Sequence, residues 1–375
     1  MKKAFFIFGT RPEAIKMAPV INVFRENNFK FDTKVAVTAQ HREMLDPVLS
    51  LFKIMPDFDL DLMSNNQSLE VLTGKIINGV SSLLKNKKPD IVFVQGDTTT
   101  TFAAALSSYY NKIPVAHIEA GLRSNNNFSP FPEEINRKMT STIASFHFPP
   151  TEQSYNNLLK DGISIEKIKI TGNTVIDVLI NVLSEIDSTT TIYENYFFEE
   201  FKIDFNIKKT ILVTGHRREN FGEGFENICI AIKHIAENNN VQFIYPLHLN
   251  PNVLEPVNRI LGKVKNVFLI PPQEYIPFVF LMKNSYIVLT DSGGVQEEAP
   301  TLGKPVLVMR DTTERQEGIN AGTAKLIGTN SKNIIAELDL LLNKKIEYNK
   351  MSKAINPYGD GNASKKIFDF ISEKF

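Results

Sequence analysis

Residues 4–16 read Ala-Phe-Phe-Ile-Phe-Gly-Thr-Arg-Pro-Glu-Ala-Ile-Lys, an apolar run that leads through a glycine into a charged segment. The run Ala4–Phe8 predicts a short buried strand, and Pro12 suits the first turn of the helix that follows. Arg11 and Lys16 flank the N-terminal end of that helix, where free backbone N–H groups attract anions. The stretch therefore predicts an anion site at the carboxyl edge of the strand; the alternative is that both cations are solvated.

The same alternation of strand and helix continues along the chain. The predicted strands are Ala4–Phe8, Thr33–Thr38, Ile91–Gln95, Val115–Ile118 and Phe146–Phe148, then Ile211–Thr214, Phe243–Pro246, Val267–Ile270, Ile287–Thr290 and Val306–Met309. Strands that each lead into a helix are typical of parallel sheets covered by helices. Because the polar stretch 184–209 separates the two series, we predict an α/β fold of two doubly wound halves facing a cleft, with a boundary between Thr171 and Lys209.

Composition limits the classes of function. The 375 residues are 42% hydrophobic, and the 42 lysines and arginines balance 42 aspartates and glutamates, so no overall basic field exists for nucleic acid or an anionic membrane. The single cysteine, Cys229, falls in the helical pattern 225–236 and is expected to be a core residue. Ala4–Phe8 is too short for a signal peptide or a membrane span, so we expect a soluble cytoplasmic protein.

Three acidic residues follow predicted strands or begin predicted helices in the first half. Each has an alternative explanation: Asp97 as a helix N-cap, Glu119 as a solvated residue, and Glu133 as the partner of Arg137 in an i,i+4 ion pair. Open α/β sheets collect reacting groups at the carboxyl edge of their strands, however. Together the three acids favour a catalytic site at that edge.

The second half contains a phosphate-binding pattern. The strand Ile287–Thr290 leads into Asp291-Ser292-Gly293-Gly294, where paired glycines let backbone N–H groups approach a phosphate. Arg310 and Arg315 follow the next strand and are expected to add positive charge at the same place. We predict a diphosphate site in this half.

Cofactor motifs are missing from the sequence. It contains neither Gly-x4-Gly-Lys-Ser/Thr nor Gly-x-Gly-x-x-Gly, so a redox dinucleotide is not expected. The pair Asp59 and Asp61 matches a metal-binding Asp-x-Asp, but it lies in an ordinary half-buried alternation, and no zinc motif occurs. We expect no cofactor and no metal.

Long segments of the chain closely resemble the non-hydrolysing UDP-N-acetylglucosamine 2-epimerases, over almost the whole length and in the family's order. They are 8–19, 38–46, 96–101, 117–123, 172–177, 214–219, 291–300 and 309–314. The resemblance implies two Rossmann-like domains in the GT-B arrangement, with the C-terminal helix returning to the first. The predicted domains are residues 1–175 joined by 363–375, which carry the catalytic acids, and 176–362, which bind UDP.

The resemblance also assigns site residues. The positions matching the family's active site are Arg11, Lys16, Asp97, Glu119, Glu133 and His216. The positions matching its nucleotide site are Gln273, Phe278, Ser292, Gly293, Gly294, Glu298 and Arg315, in addition to Arg11, Lys16 and His216. Glu298 would hold the ribose, Ser292–Gly294 the phosphates, and the segment from Gln273 to Phe278 the uracil.

The family is similar in a further respect, a second UDP-N-acetylglucosamine that acts as an allosteric activator. Its pocket matches Gln40, His41, Arg217 and His248. Glu43 and Asn66 stand where some bacterial members carry Gln and Arg, and Gln95 stands where close members carry His. The family also implies a homodimer that supplies a sugar for surface polysaccharides.

The chemistry favours one route to inversion at C2 of the sugar. The C2 hydrogen is not acidic, and oxidation at C3 would need a nicotinamide that the sequence has no motif to bind. Elimination of UDP from C1 and its return need only carboxylates and cations, with closure of the domains over a glucal intermediate. Three alternatives remain: a hydrolysing epimerase, a GT-B glycosyltransferase and a non-catalytic UDP-sugar sensor.

Overall fold

The first of two parallel sheets grows from the segment quoted above. In the computed structural model, which describes residues 1–38, 42–62 and 67–375, its strands are β1 (Lys2–Phe8), β2 (Phe31–Val37), β3 (Phe58–Asp59), β4 (Ile91–Gln95), β5 (Val115–Ile118) and β6 (Phe146–Phe148). Their order across the sheet is β3-β2-β1-β4-β5-β6, and every pairing is parallel. The order reverses between β1 and β4, so the loops after these two strands meet at the switch point where such sheets bind ligands.

Unit 1 contains the helices α1 (Arg11–Glu26), α2 (Arg42–Leu51), α3 (Leu69–Lys87), α4 (Thr99–Tyr110), α5 (Glu133–Ile143) and α6 (Glu152–Lys160). Helix α7 (Thr174–Phe201) begins in the same unit and continues into the second. Helix α1 begins with Pro12 in its first turn, as predicted, and with a capping box between Thr10 and Glu13. Helix α4 is capped by Thr98, whose side chain accepts from the N–H of Thr101, so an N-cap role for Asp97 is wrong.

The second sheet repeats the design. Its strands are β7 (Lys209–Thr214), β8 (Val241–Pro246), β9 (Val267–Ile270), β10 (Ile287–Thr290), β11 (Val306–Val308) and β12 (Ala324–Leu326), in the order β12-β11-β10-β7-β8-β9. Its helices are α8 (Glu223–Asn238), α9 (Pro251–Leu261), α10 (Tyr275–Asn284), α11 (Gly293–Glu298), α12 (Gln316–Asn320), α13 (Ser331–Asn343) and α14 (Lys345–Ser352). Cys229 is fully buried in this core, where burial raises its pKa to about 12, as expected of a core thiol.

The chain divides into unit 1, Met1–Val178 with Tyr358–Phe375, and unit 2, Leu179–Pro357. The last helix, α15 (Ala363–Lys374), lies in unit 1. Asp177 accepts hydrogen bonds from the N–H groups of Ala363 and Ser364 at 3.2 and 2.8 Å, and thereby caps α15. The ring of Phe368 packs edge-on against Phe24, 5.0 Å between centroids. The domain bounds 1–175 with 363–375, and 176–362, stay a prediction.

All ten predicted strands are confirmed, with bounds within two residues. Two further strands were not predicted. β3 is a two-residue part of the half-buried alternation around Asp59, and β12 has a lysine at the centre of its three residues in place of a continuous apolar run. The polar stretch 184–209 is largely helical, because α7 continues to Phe201 with non-helical backbone angles at Thr189. Within the described residues, no helix combines the length and the apolar composition needed to cross a bilayer.

Candidate active site

Glu119 is a buried acid at the carboxyl edge of the first sheet. It directly follows β5, is 8% exposed and has a left-handed backbone with φ of 61°. Its Oε1 accepts from Lys16 Nζ at 2.5 Å and from Asn173 Nδ2 at 3.0 Å, and its Oε2 accepts from Gln95 Nε2. Strained backbone at a buried charge of this kind is typical of functional sites.

Asp97 lies at the same edge, on the loop after β4, with 26% of its side chain exposed. Its Oδ2 accepts from Nε of Arg137 at 3.1 Å and also from Nη2. The neighbouring Asn136 donates from Nδ2 to the main-chain oxygen of Asp97 at 3.0 Å. The predicted Glu133–Arg137 ion pair is wrong, since α5 turns Arg137 toward Asp97 and toward Glu134, 3.0 Å away.

A buried carboxylate, Glu13, joins the loops on which these groups stand. Its oxygens accept from the N–H groups of Gly9 and Thr10 at 3.1 and 2.8 Å, and from the hydroxyls of Thr98 and Thr101 at 2.8 and 3.1 Å. Burial raises the pKa of Glu13 although these hydrogen bonds oppose the shift. The start of α1, which carries Arg11 and Lys16, is thereby fixed to the start of α4.

Two buried histidines lie behind this edge, on the neighbouring strands β5 and β6. His117 Nε2 is 2.7 Å from the main-chain oxygen of Gly96, so this nitrogen carries the hydrogen. Burial lowers the pKa of His117 to about 4 and that of His147 to about 3. Both rings are therefore neutral at physiological pH.

Asp291 organises the corresponding edge of the second sheet. This fully buried carboxylate accepts from the N–H groups of His216 and Arg217, each at 2.9 Å, and its Oδ1 is 3.4 Å from Nδ1 of His216. Burial lowers the pKa of His216 in spite of the charge on Asp291. The ring of His216 stacks on that of His248, 5.6 Å between centroids.

The segment Ser292–Gly294 begins α11 beside a guanidinium group. A Cβ placed on Gly293 would be 3.1 Å from Cζ of Arg315, so the glycine makes room for this arginine. The expected excess of positive charge is only partly present, because Glu297 and Glu314 bind Arg315, and Glu219 binds Arg310. Burial opposes the shift, but Arg315 and Arg310 hold the pKa of Glu314 at about 2.

The other predicted nucleotide-binding residues lie on α10, on α11 and on the loop before α10. Glu298 is buried and accepts from the hydroxyl of Tyr275 at 3.2 Å. Gln273 donates to the main-chain oxygen of Pro271 at 2.8 Å, and Phe278 is half-buried on α10. These groups and Ser292–Gly294 belong to one unit.

The predicted residues thus divide between the two units. Unit 1 contains Arg11, Lys16, Asp97, Glu119 and Glu133; unit 2 contains His216, Arg217, His248, Gln273, Phe278, Ser292, Gly293, Gly294, Glu298 and Arg315. Arg11 and Glu133 are half-buried in the first turns of α1 and α5. Gln40, His41, Asn66 and the side chain of Glu43 lie outside the described residues.

Among the described residues, no group of three or more His, Cys, Asp or Glu side chains is arranged to hold a metal ion. Asp59 Oδ1 instead accepts from the N–H of Asp61 at 3.1 Å, a local turn.

Lys16 is bound by Glu119 and is therefore not a solvated surface cation.

Sequence reasoning missed the residues that hold the site residues in place: Gln95, Asn136, Asn173 and Asp291 as hydrogen-bond partners, and Arg137 as the partner of Asp97. A partial signal existed, because Asn136 and Arg137 lie one helical turn after the start of α5 and Asn173 directly precedes α7. Their partners lie far away in the sequence, so packing between distant segments decides these contacts.

Two doubly wound parallel sheets, each with ionisable groups at its carboxyl edge, define a two-unit α/β protein of the kind that binds nucleotides at such edges. The family model for UDP-N-acetylglucosamine 2-epimerase matches residues 24–372. The UDP-N-acetylglucosamine 2-epimerase of Salmonella typhimurium is 56% identical over 98% of both chains. The chain belongs to the UDP-N-acetylglucosamine 2-epimerase family.

Solved structures of UDP-N-acetylglucosamine 2-epimerases have the same fold as this chain. The crystal structure of the Neisseria meningitidis UDP-GlcNAc 2-epimerase bound to UDP-GlcNAc superimposes with a TM-score of 0.92 at 53% identity, covering 99% of this chain and 100% of that one. The Staphylococcus aureus MnaA–UDP co-structure gives a TM-score of 0.86 at 44% identity, over 100% and 97% of the two chains. The predicted family and fold class are confirmed.

Proposed function

We propose that this chain is a non-hydrolysing UDP-N-acetylglucosamine 2-epimerase that interconverts UDP-N-acetylglucosamine and UDP-N-acetylmannosamine. Family membership over nearly the full length supports the reaction class. The observation that carries the mechanism is a pair of carboxylates, Asp97 and Glu119, on adjoining loops of one sheet edge, each bound by its own cation.

The reaction that this pair suits is an elimination followed by an addition. A base takes the C2 proton, and the electron pair of the C2–H bond forms the C1–C2 double bond. The C1–O bond breaks at the same time, and UDP leaves with the electron pair of that bond. The return of UDP to C1 and protonation of C2 on the opposite face give the epimer. Two proton-transfer groups on different loops suit opposite faces, and we assign them among Asp97, Glu119 and Glu133.

Cations and backbone N–H groups would stabilise the charge that grows on the departing diphosphate. We assign this role to Arg11, Lys16 and His216 and to the Ser292–Gly294 amides, since each such interaction commonly contributes on the order of 3 kcal/mol to lowering a barrier. Glu298 would accept hydrogen bonds from the ribose, and the segment from Gln273 to Phe278 would bind uracil. Arg315, beside Gly293, would bind the diphosphate.

Nuclear magnetic resonance in D2O with UDP-N-acetylglucosamine tests the reaction. We expect deuterium at C2 in both UDP-sugars with the diphosphate intact. Free N-acetylmannosamine with UDP would identify a hydrolysing enzyme. An unchanged spectrum would contradict the proposal and favour a UDP-sugar sensor or a glycosyltransferase without its acceptor.

Asp97→Asn should fold and lose turnover and C2 exchange. Asp90→Asn is the matched control, because Asp90 precedes the same strand, β4, at its opposite end and pairs there with Lys2, 3.1 Å away. If Asp97→Asn keeps the wild-type kcat, the assignment of Asp97 is wrong.

Several finer features remain part of the proposal. They are the activating second UDP-N-acetylglucosamine at Gln40, His41, Arg217 and His248, a homodimer, a cytoplasmic location, and supply of N-acetylmannosamine-type sugars to a surface polysaccharide. Dependence of the initial rate on a second substrate molecule, measured as sigmoidal kinetics, tests the activator.

A further inference from the structure

We propose that Arg137 is a positioning residue for the reaction, which fixes Asp97 so that only Oδ1 of this carboxylate can meet the sugar; the inference rests on the proposed function. Arg137 lies on α5 with 6% of its side chain exposed. Its Nε and Nη2 both donate to the same oxygen, Oδ2 of Asp97. Two donors on one oxygen define the orientation of the carboxylate, which a single donor would leave free to rotate.

The other side of the guanidinium is equally fixed. Nη1 of Arg137 donates to Oε2 of Glu134 at 3.0 Å, and Glu134 is fully buried. Glu134 in turn accepts from the N–H groups of Ser124 and Asn125 at 2.9 and 3.3 Å. Burial by itself would raise the pKa of Glu134, but the N–H of Ser124 and the charge of Arg137 outweigh it, so the pKa lies below its ordinary value. Arg137 is therefore held between two carboxylates and cannot swing away from Asp97.

The main chain of Asp97 is anchored from the same helix. Asn136 donates to its carbonyl oxygen at 3.0 Å, so consecutive residues of α5 hold both the backbone and the side chain of the acid. Among the described residues, no hydrogen bond reaches Oδ1, and the side chain of Asp97 is 26% exposed. Oδ1 is thus the oxygen available for proton transfer, and its direction is set by Arg137 and Asn136.

The chain offers a closely matched control. Arg123 is also buried, with 4% of its side chain exposed, and its Nε and Nη2 donate to a single oxygen, Oδ2 of Asp161, at 2.9 and 2.6 Å. The two arginines lie in the same unit, are similarly buried and each place two donors on one carboxylate oxygen, but the partner of Arg123 has no proposed role in the reaction. Replacement by Lys keeps the charge at either site and removes the two-donor geometry.

The experiment measures kcat, KM for UDP-N-acetylglucosamine and the free energy of unfolding for wild type, Arg137→Lys and Arg123→Lys. We expect both variants to lose stability, Arg137→Lys more than Arg123→Lys because Arg137 also pairs with the buried Glu134. We expect kcat to fall about 100-fold in Arg137→Lys only, with KM within about threefold of wild type, since a misplacement near 1 Å has that effect on rate but not on substrate binding. Asn136→Ala, which leaves the charges unchanged, should show the same selective loss of kcat on a smaller scale and serves if Arg137→Lys does not fold.

Equal changes of kcat in Arg137→Lys and Arg123→Lys would overturn the inference, as would a rise in KM that matches the fall in kcat. Wild-type protein measured in parallel separates the two possible failures. If wild type shows no C2 exchange, the proposed function fails; if wild type exchanges and Arg137→Lys does so equally fast, only the positioning role fails.

Discussion

The two buried histidines of unit 1 make the free energy of unfolding depend on pH. Burial lowers the pKa of His117 from 6.5 to about 4 and that of His147 from 6.5 to about 3. A base whose pKa is lower in the folded state stabilises the fold above its unfolded pKa, and this stability is lost as the pH falls. The loss begins near pH 6.5 and ends at the folded values.

The size of the effect follows from the unfolded chain. Both folded pKa values lie below 5, so between pH 7 and pH 5 only the unfolded state takes up protons at these sites. With an unfolded pKa near 6.5, each histidine then costs the fold about 2 kcal/mol over this range, or roughly 4 kcal/mol together. The free energy of unfolding of a whole domain is only about 5 to 15 kcal/mol, so the change is readily measured.

Urea unfolding at pH 7 and pH 5, followed by far-ultraviolet circular dichroism, is the assay. His147→Leu should reduce the difference between the two pH values by about 2 kcal/mol, and a double variant with His117→Asn should remove both contributions. His234→Gln is the control, because His234 is exposed on α8. If the double variant loses as much stability between pH 7 and pH 5 as wild type does, these histidines are not the source.

Three further predictions follow from packing and from the proposed nucleotide site. Gly121→Ala should lower the free energy of unfolding by more than about 2 kcal/mol, because a Cβ there would lie 2.2 Å from the main-chain oxygen of Ser154. Gly162 also has a positive φ but has open space around it, so Gly162→Ala should cost only about 1 kcal/mol; urea unfolding measures both. Ile367→Ala, fully buried on α15, should cost about 2 to 5 kcal/mol in thermal or urea unfolding, and the exposed Ile346→Ala close to nothing; equal effects would mean that α15 is not part of the core. Tyr275→Phe removes the hydrogen bond to Glu298, and the loss of about 1 kcal/mol of binding energy should raise KM about fivefold at nearly constant kcat. Tyr286→Phe, which changes a tyrosine stacked on Tyr348, is the control and should leave KM unchanged. A fall in kcat for Tyr275→Phe would contradict the binding role.

The order of elements was determined by the sequence alone. Buried strands such as β4 and β10 are continuous apolar runs bounded by turn residues, and this pattern is local, so their bounds were predicted without tertiary information. The pattern also placed Asp97 and Glu119 at one sheet edge, because parallel strands present their carboxyl ends together. The reaction class came from a likeness of long segments and not from any single residue.

Only the tertiary structure decided which side chains bind each acid of the candidate active site. Local spacing alone favoured Glu133 as the partner of Arg137, but the packing of α5 against α4 directs the guanidinium to Asp97, 40 residues earlier in the chain. Likewise Glu119 receives Lys16, Gln95 and Asn173 from three separate segments, and α15 docks on unit 1 through Asp177. Such contacts depend on distances between segments far apart in sequence, which helical or strand periodicity does not encode. The stretch 4–16 thus predicted a strand, the start of a helix and an anion site beside Arg11 and Lys16. Only the folded chain shows that Lys16 binds the buried acid Glu119.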